Sequence, residues 1–325
     1  MALAATAIPA FYLLCRRLYP ECAAPRTLQF LFIPTLFPLY FVTYTDLPAL
    51  AVTLLMLERV VARHYAWAAV FALLAVLMRQ PNIAWVGFAL ALIACKVARD
   101  HGRGIFALDN LRAAARRGWL LLLVVLAFLV FALWNGGVAV GDVEQHPLSI
   151  NLSNLYFCLL VAWALFLPFN VEQLGNIGRL LAEHKWMWAL LAAAFLVYFF
   201  TYTAPHKYNT PELDFYRHNL LIHYTVDFTL GRILAFVPIA WMALSFVTAA
   251  NSSDYRREML LLAPFALLSF LPMPLIEPRY YIVALCLFLA LRPTMSRAAT
   301  LATFACYIPA SAWILYNISR RNFFL

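Results

Sequence analysis

The sequence predicts an all-α, polytopic membrane protein, and three observations carry that reading. Of its 325 residues, 65% are apolar and 12% charged, with a mean hydropathy of +0.80. Water-soluble domains hold about 45–50% apolar and about 25% charged residues. The apolar residues run continuously over stretches of about 15–20, close to the length that crosses ~30 Å of hydrocarbon in a helix. They do not alternate with period two, which argues against an outer-membrane barrel. Ten to twelve spans of about 20 residues use roughly 200–240 residues. The whole chain, 1–325, therefore reads as a single transmembrane domain.

In chain order the spans fall near residues 2–15, 27–43, 47–58, 65–78, 83–98, 118–139, 151–168, 186–203, 231–250, 259–275, 280–292 and 298–317. Pro34, Pro38 and Pro48 interrupt the second and third, and the fourth and eleventh are short, so broken or re-entrant helices are expected among them. The first run has no basic stretch ahead of it and is followed by Arg16-Arg17. That order favours a retained span, with its N-terminus outside, over a cleaved signal peptide.

Alternate connections differ in their cations. One set, including Arg16, Arg17, Arg59, Arg63, Lys96, Arg99, Arg256 and Arg257, holds 17 of the 24 Lys and Arg residues. By the positive-inside rule that face is cytoplasmic. The other face carries Arg79, Lys207, Arg217, Arg232, Arg279, Arg320 and Arg321, the last two as a tail that leaves the span count open by one. The net charge of +9 lies in short loops and forms no basic face, so no nucleic-acid partner is expected. The six cysteines form no CxxC pair and have no zinc-type His spacing, so neither a metal site nor a disulfide framework is expected.

Ionisable groups at membrane depth need a reason, because each costs about 2.5–3.5 kcal/mol at mid-bilayer. Five polar clusters lie on the far face: Thr43 to Asp46, Arg79 to Asn82, Asn135 to His146, His206 to Asp227, and Glu277 to Tyr281. Each has a plain structural reading. Asp46 could cap a helix, Glu277 and Arg279 could simply pair, Arg79 could snorkel, and His223 and Asp227 could form a solvated face. Together, however, seven acids and several bases converge on one membrane face, which points to a polar cavity opening to the non-cytoplasmic side. Acids beside Arg, Lys and His suit a group transfer in which a carboxylate takes a hydroxyl proton while cations hold a departing phosphate. An ion or proton relay wants acids in mid-span, and the span interiors carry almost none.

At these clusters the chain resembles the dolichyl-phosphate-glucose α-1,2-glucosyltransferases, which add the last glucose to the lipid-linked oligosaccharide of N-glycosylation. The strings are Phe37-Pro38-Leu39-Tyr40-Phe41 with Tyr44-Thr45-Asp46, then Arg79-Gln80-Pro81-Asn82-Ile83-Ala84-Trp85, like RQTNIxW. Asn135-Gly136-Gly137 through Gly141-Asp142 with His146 resembles NGGIVxGDxxxH. His206-Lys207-Tyr208 with Arg217-His218, and Leu275-Ile276-Glu277-Pro278-Arg279-Tyr280-Tyr281, complete the set. Their order and spacing agree from about residue 30 to 292.

The resemblance implies a GT-C-like fold of the endoplasmic reticulum membrane with its site facing the lumen. It also implies inverting transfer of glucose from β-linked dolichyl-phosphate glucose to a terminal glucose 2-hydroxyl of a lipid-linked oligosaccharide, with no cofactor or metal. On that reading Arg79, Lys207, Arg217 and Arg279 seat the donor phosphate, with His206 and His218 able to donate to it. Asp46, Asp142 and Glu277 are the candidate catalytic acids, and Gln80, Asn82 and Asn135 the sugar hydrogen-bonding residues. Membrane lipid surrounds the whole.

Two departures stand out. The family begins with a further segment carrying an MDE-type luminal motif, whereas this chain begins after that point, so a shortened reading frame or a lost base is expected and Asp46 is the best remaining carboxylate. Between residues 209 and 225 the spacing shifts, and Leu220-Leu221-Ile222 replaces an aromatic run. The alternative readings are a catalytically silent fragment or pseudoenzyme, and a transporter of a lipid or small solute.

Overall fold

Proline and glycine placement decides where the apolar runs become helices. The computed structural model describes residues 5–42, 44–102, 104–137, 149–209 and 220–322. Helix α1, Ala7–Leu18, ends at Tyr19 ahead of Pro20, and α2, Ala23–Leu31, follows. The run expected as one span over 27–43 is not one helix. Pro34 and Pro38 lack the N–H that a continuing helix needs, and beyond α2 the chain makes only a 3₁₀ turn, Phe37–Tyr40. Pro48 does not interrupt α3, Asp46–Val61. It sits in the first turn, where the missing N–H would have had no partner in any case.

Helix α4, Tyr65–Met78, stops at Arg79, whose backbone is extended (φ −150°, ψ 114°). A 3₁₀ turn, Gln80–Asn82, leads into α5, Ile83–His101, which is closed by the left-handed Gly102 (φ +66°). The amphipathic α6, Leu108–Arg117, bends by 81° into α7, Trp119–Asn135, which ends on Gly136 in the same left-handed conformation. Next come α8, Ser153–Leu165, and the short α9, Leu167–Glu172. Helix α10, Leu174–Glu183, turns by 108° into α11, Trp186–Thr201. A π-helical turn, His223–Asp227, precedes α12, Thr229–Ser252. Helix α13, Arg256–Phe270, is followed by a 3₁₀ turn, Pro278–Tyr281, then α14, Ile282–Leu291, and α15, Arg297–Ser319.

The protein is thus all-α and polytopic, with no strand among the described residues. Three helices are individually long and apolar enough to cross a bilayer, Gln80–His101, Thr229–Ser252 and Arg297–Ser319, and counting each bent pair as one span raises that to five. The apolar runs outnumber them because many helices stop short at prolines and polar breaks. Tyr65–Met78, Ser153–Leu165 and Pro278–Leu291 are apolar but shorter. Burial separates inner from outer helices. Every residue of α14 except Val283 is buried, as is most of α3, whereas α7 and α11 expose Leu126, Leu133, Leu196 and Phe200. A helix apolar all round with an uncovered face fits lipid, not water.

Two ends of this bundle matter below. The start of α3 (Asp46), the end of α4 (Arg79), the start of α5 and the turn Pro278–Tyr281 lie together at one end. The ends of α1 (Arg16, Arg17) and α5 (Lys96, Arg99) and the start of α13 (Glu258) lie together at the other. The 13 residues from Asp46 to Arg59 along α3 separate the ends by roughly 20 Å. This is the division that the Lys and Arg distribution anticipates.

Candidate functional site

Asp46, Arg79 and Arg279, which are far apart in sequence, meet in one network. Asp46 begins α3, but it is not a helix cap: Thr45 holds the N-cap position, and no side chain there bonds the free backbone N–H groups. Instead Arg79 Nη1 pairs with Asp46 Oδ1, and Arg279 Nη1 lies 3.6 Å from Asp46 Oδ2. Glu277 closes the set by accepting from Arg279 Nε at 2.7 Å and also from Nη2. Asp46 and Glu277 are only 6% exposed, so neither acid would stay ionised cheaply without its cation. Two cations against two acids leave the network close to neutral.

The local sequence explains how each group arrives. The helix break at Arg79 frees its side chain from the α4 face and turns it toward α3, so it is not a snorkelling cation. Burial, and then the neighbouring Arg279 charge, pull the Arg79 guanidinium below its ordinary value. Glu277, also extended (φ −147°, ψ 128°), and the Pro278–Tyr281 turn aim Arg279 back into the bundle, where its guanidinium carbon sits 4.6 Å from the centre of the Tyr44 ring.

This network borders a cavity of about 380 Å³. Asp46, Arg79, Gln80, Asn82 and Arg279 contribute polar wall, while Trp85, Phe128, Pro272 and Leu268 contribute apolar wall. Leu268 is 61% exposed on the outer, lipid-compatible surface of α13, so the cavity borders that surface. Each guanidinium has five N–H donors in a planar fork suited to phosphate. Arg79 directs one donor-bearing nitrogen at Asp46 and retains others.

The remaining predicted residues divide. Gln80 lines the cavity; Asn82 does too, though its amide donates to the Ala75 carbonyl at 2.9 Å and ties the α4–α5 break together. Glu277 lies behind Arg279, off the wall. Asn135, exposed at the end of α7, donates to the Gly137 carbonyl and does not line the cavity. His206 and Lys207 also lie off the wall. Lys207 sits over the Tyr208 ring, and His206 Nδ1 accepts from the Tyr208 N–H. Asp142, Arg217 and His218 lie outside the described residues. His223 and Asp227 pair at 2.6 Å on an exposed turn, which is the solvated-face reading. No group of metal-ligating side chains occurs among the described residues.

Sequence reasoning passed over several residues that hold this site in place. Asn209 exchanges two 2.9 Å hydrogen bonds with the backbone of Ile276, which fastens the His206–Lys207 segment beside Glu277. Asn154 is fully buried. It donates to the Met273 and Leu275 carbonyls and accepts from Tyr281 Oη at 2.6 Å. Asn151 donates to the Pro274 carbonyl and accepts from the Ser153 N–H, opening α8 with an Asx turn. These asparagines pin the segment 271–275, which forms one wall of the cavity. Asparagine and serine clustered ahead of an apolar run were the available signal.

A helical membrane protein with a carboxylate-braced pair of arginines beside a pocket at one membrane end is the class this geometry defines. The chain belongs to the DIE2/ALG10 family, whose model matches residues 5–290. It is 25% identical over 314 residues to a Dol-P-Glc:Glc(2)Man(9)GlcNAc(2)-PP-Dol alpha-1,2-glucosyltransferase of Debaryomyces hansenii, covering 83% of this chain and 64% of the relative. Proteins of the same name from Arabidopsis thaliana and Rattus norvegicus are 24% and 22% identical, with 86% and 96% of this chain and 69% and 74% of theirs covered. The chain therefore spans about two thirds of the length of the relatives it matches. No solved structure matches it.

Proposed function

We propose that this chain carries the glucosyl-transfer site its relatives are named for. It would take glucose from dolichyl-phosphate glucose and place it in α-1,2 linkage on the terminal glucose of a dolichyl-diphosphate oligosaccharide, at the luminal face of the endoplasmic reticulum membrane. The observation that carries the reading is the Asp46–Arg79–Arg279 network, braced from behind by Glu277, on the wall of a pocket beside the lipid-facing surface. A lipid-borne donor needs this combination: apolar wall for the lipid end and bidentate cations for the phosphate.

The acceptor 2-hydroxyl oxygen attacks glucose C1 as the C1–O bond to phosphate breaks, inverting the anomeric centre in one displacement. The electron pair leaves with the dolichyl phosphate, whose charge Arg79 and Arg279 hold. The hydroxyl proton goes to a carboxylate. Asp46 and Glu277 each hold guanidinium groups, so we assign them to orienting the phosphate seat. Asp142 becomes the candidate proton acceptor, with Lys207, Arg217, His206 and His218 as further contacts to the donor. Gln80 and Asn82 face the sugar, and Asn135 joins them at the acceptor side.

Arg79→Ala and Arg279→Ala are each expected to lower glucosyl transfer in membranes by about 10²–10³-fold, with protein accumulation read alongside by immunoblot. Normal transfer in both variants would overturn the phosphate seat. Asp142→Asn with unchanged transfer would remove Asp142 from the chemistry.

A further inference from the structure

At the opposite end of the bundle lies a second and larger cavity, of about 660 Å³, which the transfer chemistry does not use. Arg16 and Arg17 at the end of α1, and Lys96 and Arg99 at the end of α5, line it together with the single acid Glu258. Its deeper wall is apolar, formed by Leu57, Phe88, Leu92 and Leu287. The volume lies in the range of small-molecule sites, and the charge imbalance is the reverse of the balanced network around Asp46.

The cations are not equivalent. Arg17 is bound to Glu58 at 2.5 Å, and Arg59 holds the other oxygen of that same acid. Arg99 donates to Glu258 Oε1 at 2.6 Å and lies against the Tyr255 ring. Arg16 and Lys96 make no ion pair among the described residues; Lys96 instead donates to the Val61 carbonyl, which fixes its ammonium at the wall. Glu258 Oε2 is buried with no hydrogen-bond partner there. A buried acceptor without a donor is unfavourable, so it marks a place for a donor brought by a ligand.

We propose that this cavity holds the headgroup of an anionic glycerophospholipid whose phosphodiester carries hydroxyl donors, a phosphatidylinositol-type lipid. Arg16 and Lys96 take the phosphate, Glu258 Oε2 accepts from a headgroup hydroxyl, and the apolar wall takes the start of an acyl chain. The match is one of charge and amphipathicity together: an excess of cations with apolar surface behind them, at the membrane end richest in Lys and Arg. By the positive-inside rule that end faces the cytoplasmic leaflet, where anionic lipids concentrate. The inference rests on that orientation and not on the glucosyl-transfer reading.

The test is binding, read without activity. The full chain, purified in a neutral detergent, is titrated with phosphatidylinositol, phosphatidic acid, phosphatidylcholine and soluble inositol 1-phosphate, and retention is followed by native mass spectrometry with thermal unfolding alongside. We expect saturable phosphatidylinositol binding at least about tenfold tighter than phosphatidylcholine. Arg16→Gln, an exposed position, and Lys96→Gln should each weaken it about tenfold while leaving unfolding in phosphatidylcholine unchanged for Arg16→Gln. Glu258→Gln should lower phosphatidylinositol affinity and spare phosphatidic acid. Equal binding of phosphatidylinositol and phosphatidylcholine, or full affinity in both Arg16→Gln and Lys96→Gln, overturns the site. Inositol 1-phosphate binding as tightly as the lipid overturns the lipid as its source.

Discussion

The two ends of the bundle treat charge in opposite ways. At the Asp46 end, two arginines are set against two nearly fully buried acids, and the geometry is fixed by helix breaks at Arg79 and Glu277. At the Arg16 end, four cations surround a cavity containing one acid, and several project from exposed helix termini. A balanced buried network can hold its groups in one arrangement before a ligand arrives, which suits chemistry. An unbalanced rim attracts an anion strongly without specifying its orientation, which suits a lipid headgroup. Convergence of charge therefore does not by itself mark an active site; its balance and burial distinguish the two.

Breaking the balanced end should have the largest effect. Asp46→Ala leaves the Arg79 guanidinium facing an emptied, desolvated position and removes one partner of Arg279. Loss of one member of a buried ion pair costs about 3–5 kcal/mol. The variant should unfold at markedly lower temperature in detergent and accumulate poorly in membranes. At the basic end Arg17→Ala, with its partner Glu58 still held by Arg59, should change stability by less than about 1 kcal/mol. Similar losses in the two variants would erase the distinction drawn here.

The asparagine brace behind the Asp46 end ranks next. Asn154 donates to two carbonyls and accepts from Tyr281, so Asn154→Ala strands buried polar groups and should cost about 1–3 kcal/mol. Because it pins the 271–275 segment, which lines the pocket and itself lies close to Arg279 in the chain, transfer should fall further than stability alone accounts for. Kinetics on protein matched for folded fraction separate the two. An equal fall in both would make Asn154 purely structural.

Much of this is legible in the sequence. Continuous apolar runs gave the all-α membrane class, and the split of Lys and Arg between alternate loops anticipated which residues share an end. The conjunction of Asp46, Arg79 and Arg279 followed because a charge at membrane depth needs a partner. The helix count did not follow, since hydropathy records apolar length and not whether Pro34, Pro38 or the Arg79–Asn82 break lets one helix occupy it. Nor did the partners of Asn151, Asn154 and Asn209: the Asn and Ser cluster ahead of α8 marks a helix start, but a side chain that bonds backbone of a distant loop leaves no spacing in the sequence that names its partner. Glu277 was legible as a partner of Arg279, but its position behind the pocket wall depends on the extended turn before Pro278.

The smallest effect concerns the basic end, and it can be isolated by comparing two substitutions at one residue. Arg63 joins α3 to α4 with φ +66°, a left-handed backbone that costs a side-chain-bearing residue about 1–2 kcal/mol. Its guanidinium donates to Asp100 at 2.9 Å, but Asp100 is also held by Arg117 at 3.1 Å, and both arginine pairs are solvent-accessible. Such a pair contributes about 0–1 kcal/mol, and the acid keeps a cation after either substitution. Arg63→Ala loses the pair and retains the strained backbone; Arg63→Gly loses the pair and relieves it. The glycine variant should therefore be the more stable of the two by about 1 kcal/mol, a difference of a few degrees in the unfolding midpoint. If alanine equals or exceeds glycine there, glycine relieves no backbone strain at this position; if the glycine variant, freed of strain, is itself less stable than the native chain by more than about 1 kcal/mol, the surface pair is not a minor contributor and the weak-rim view of this end fails.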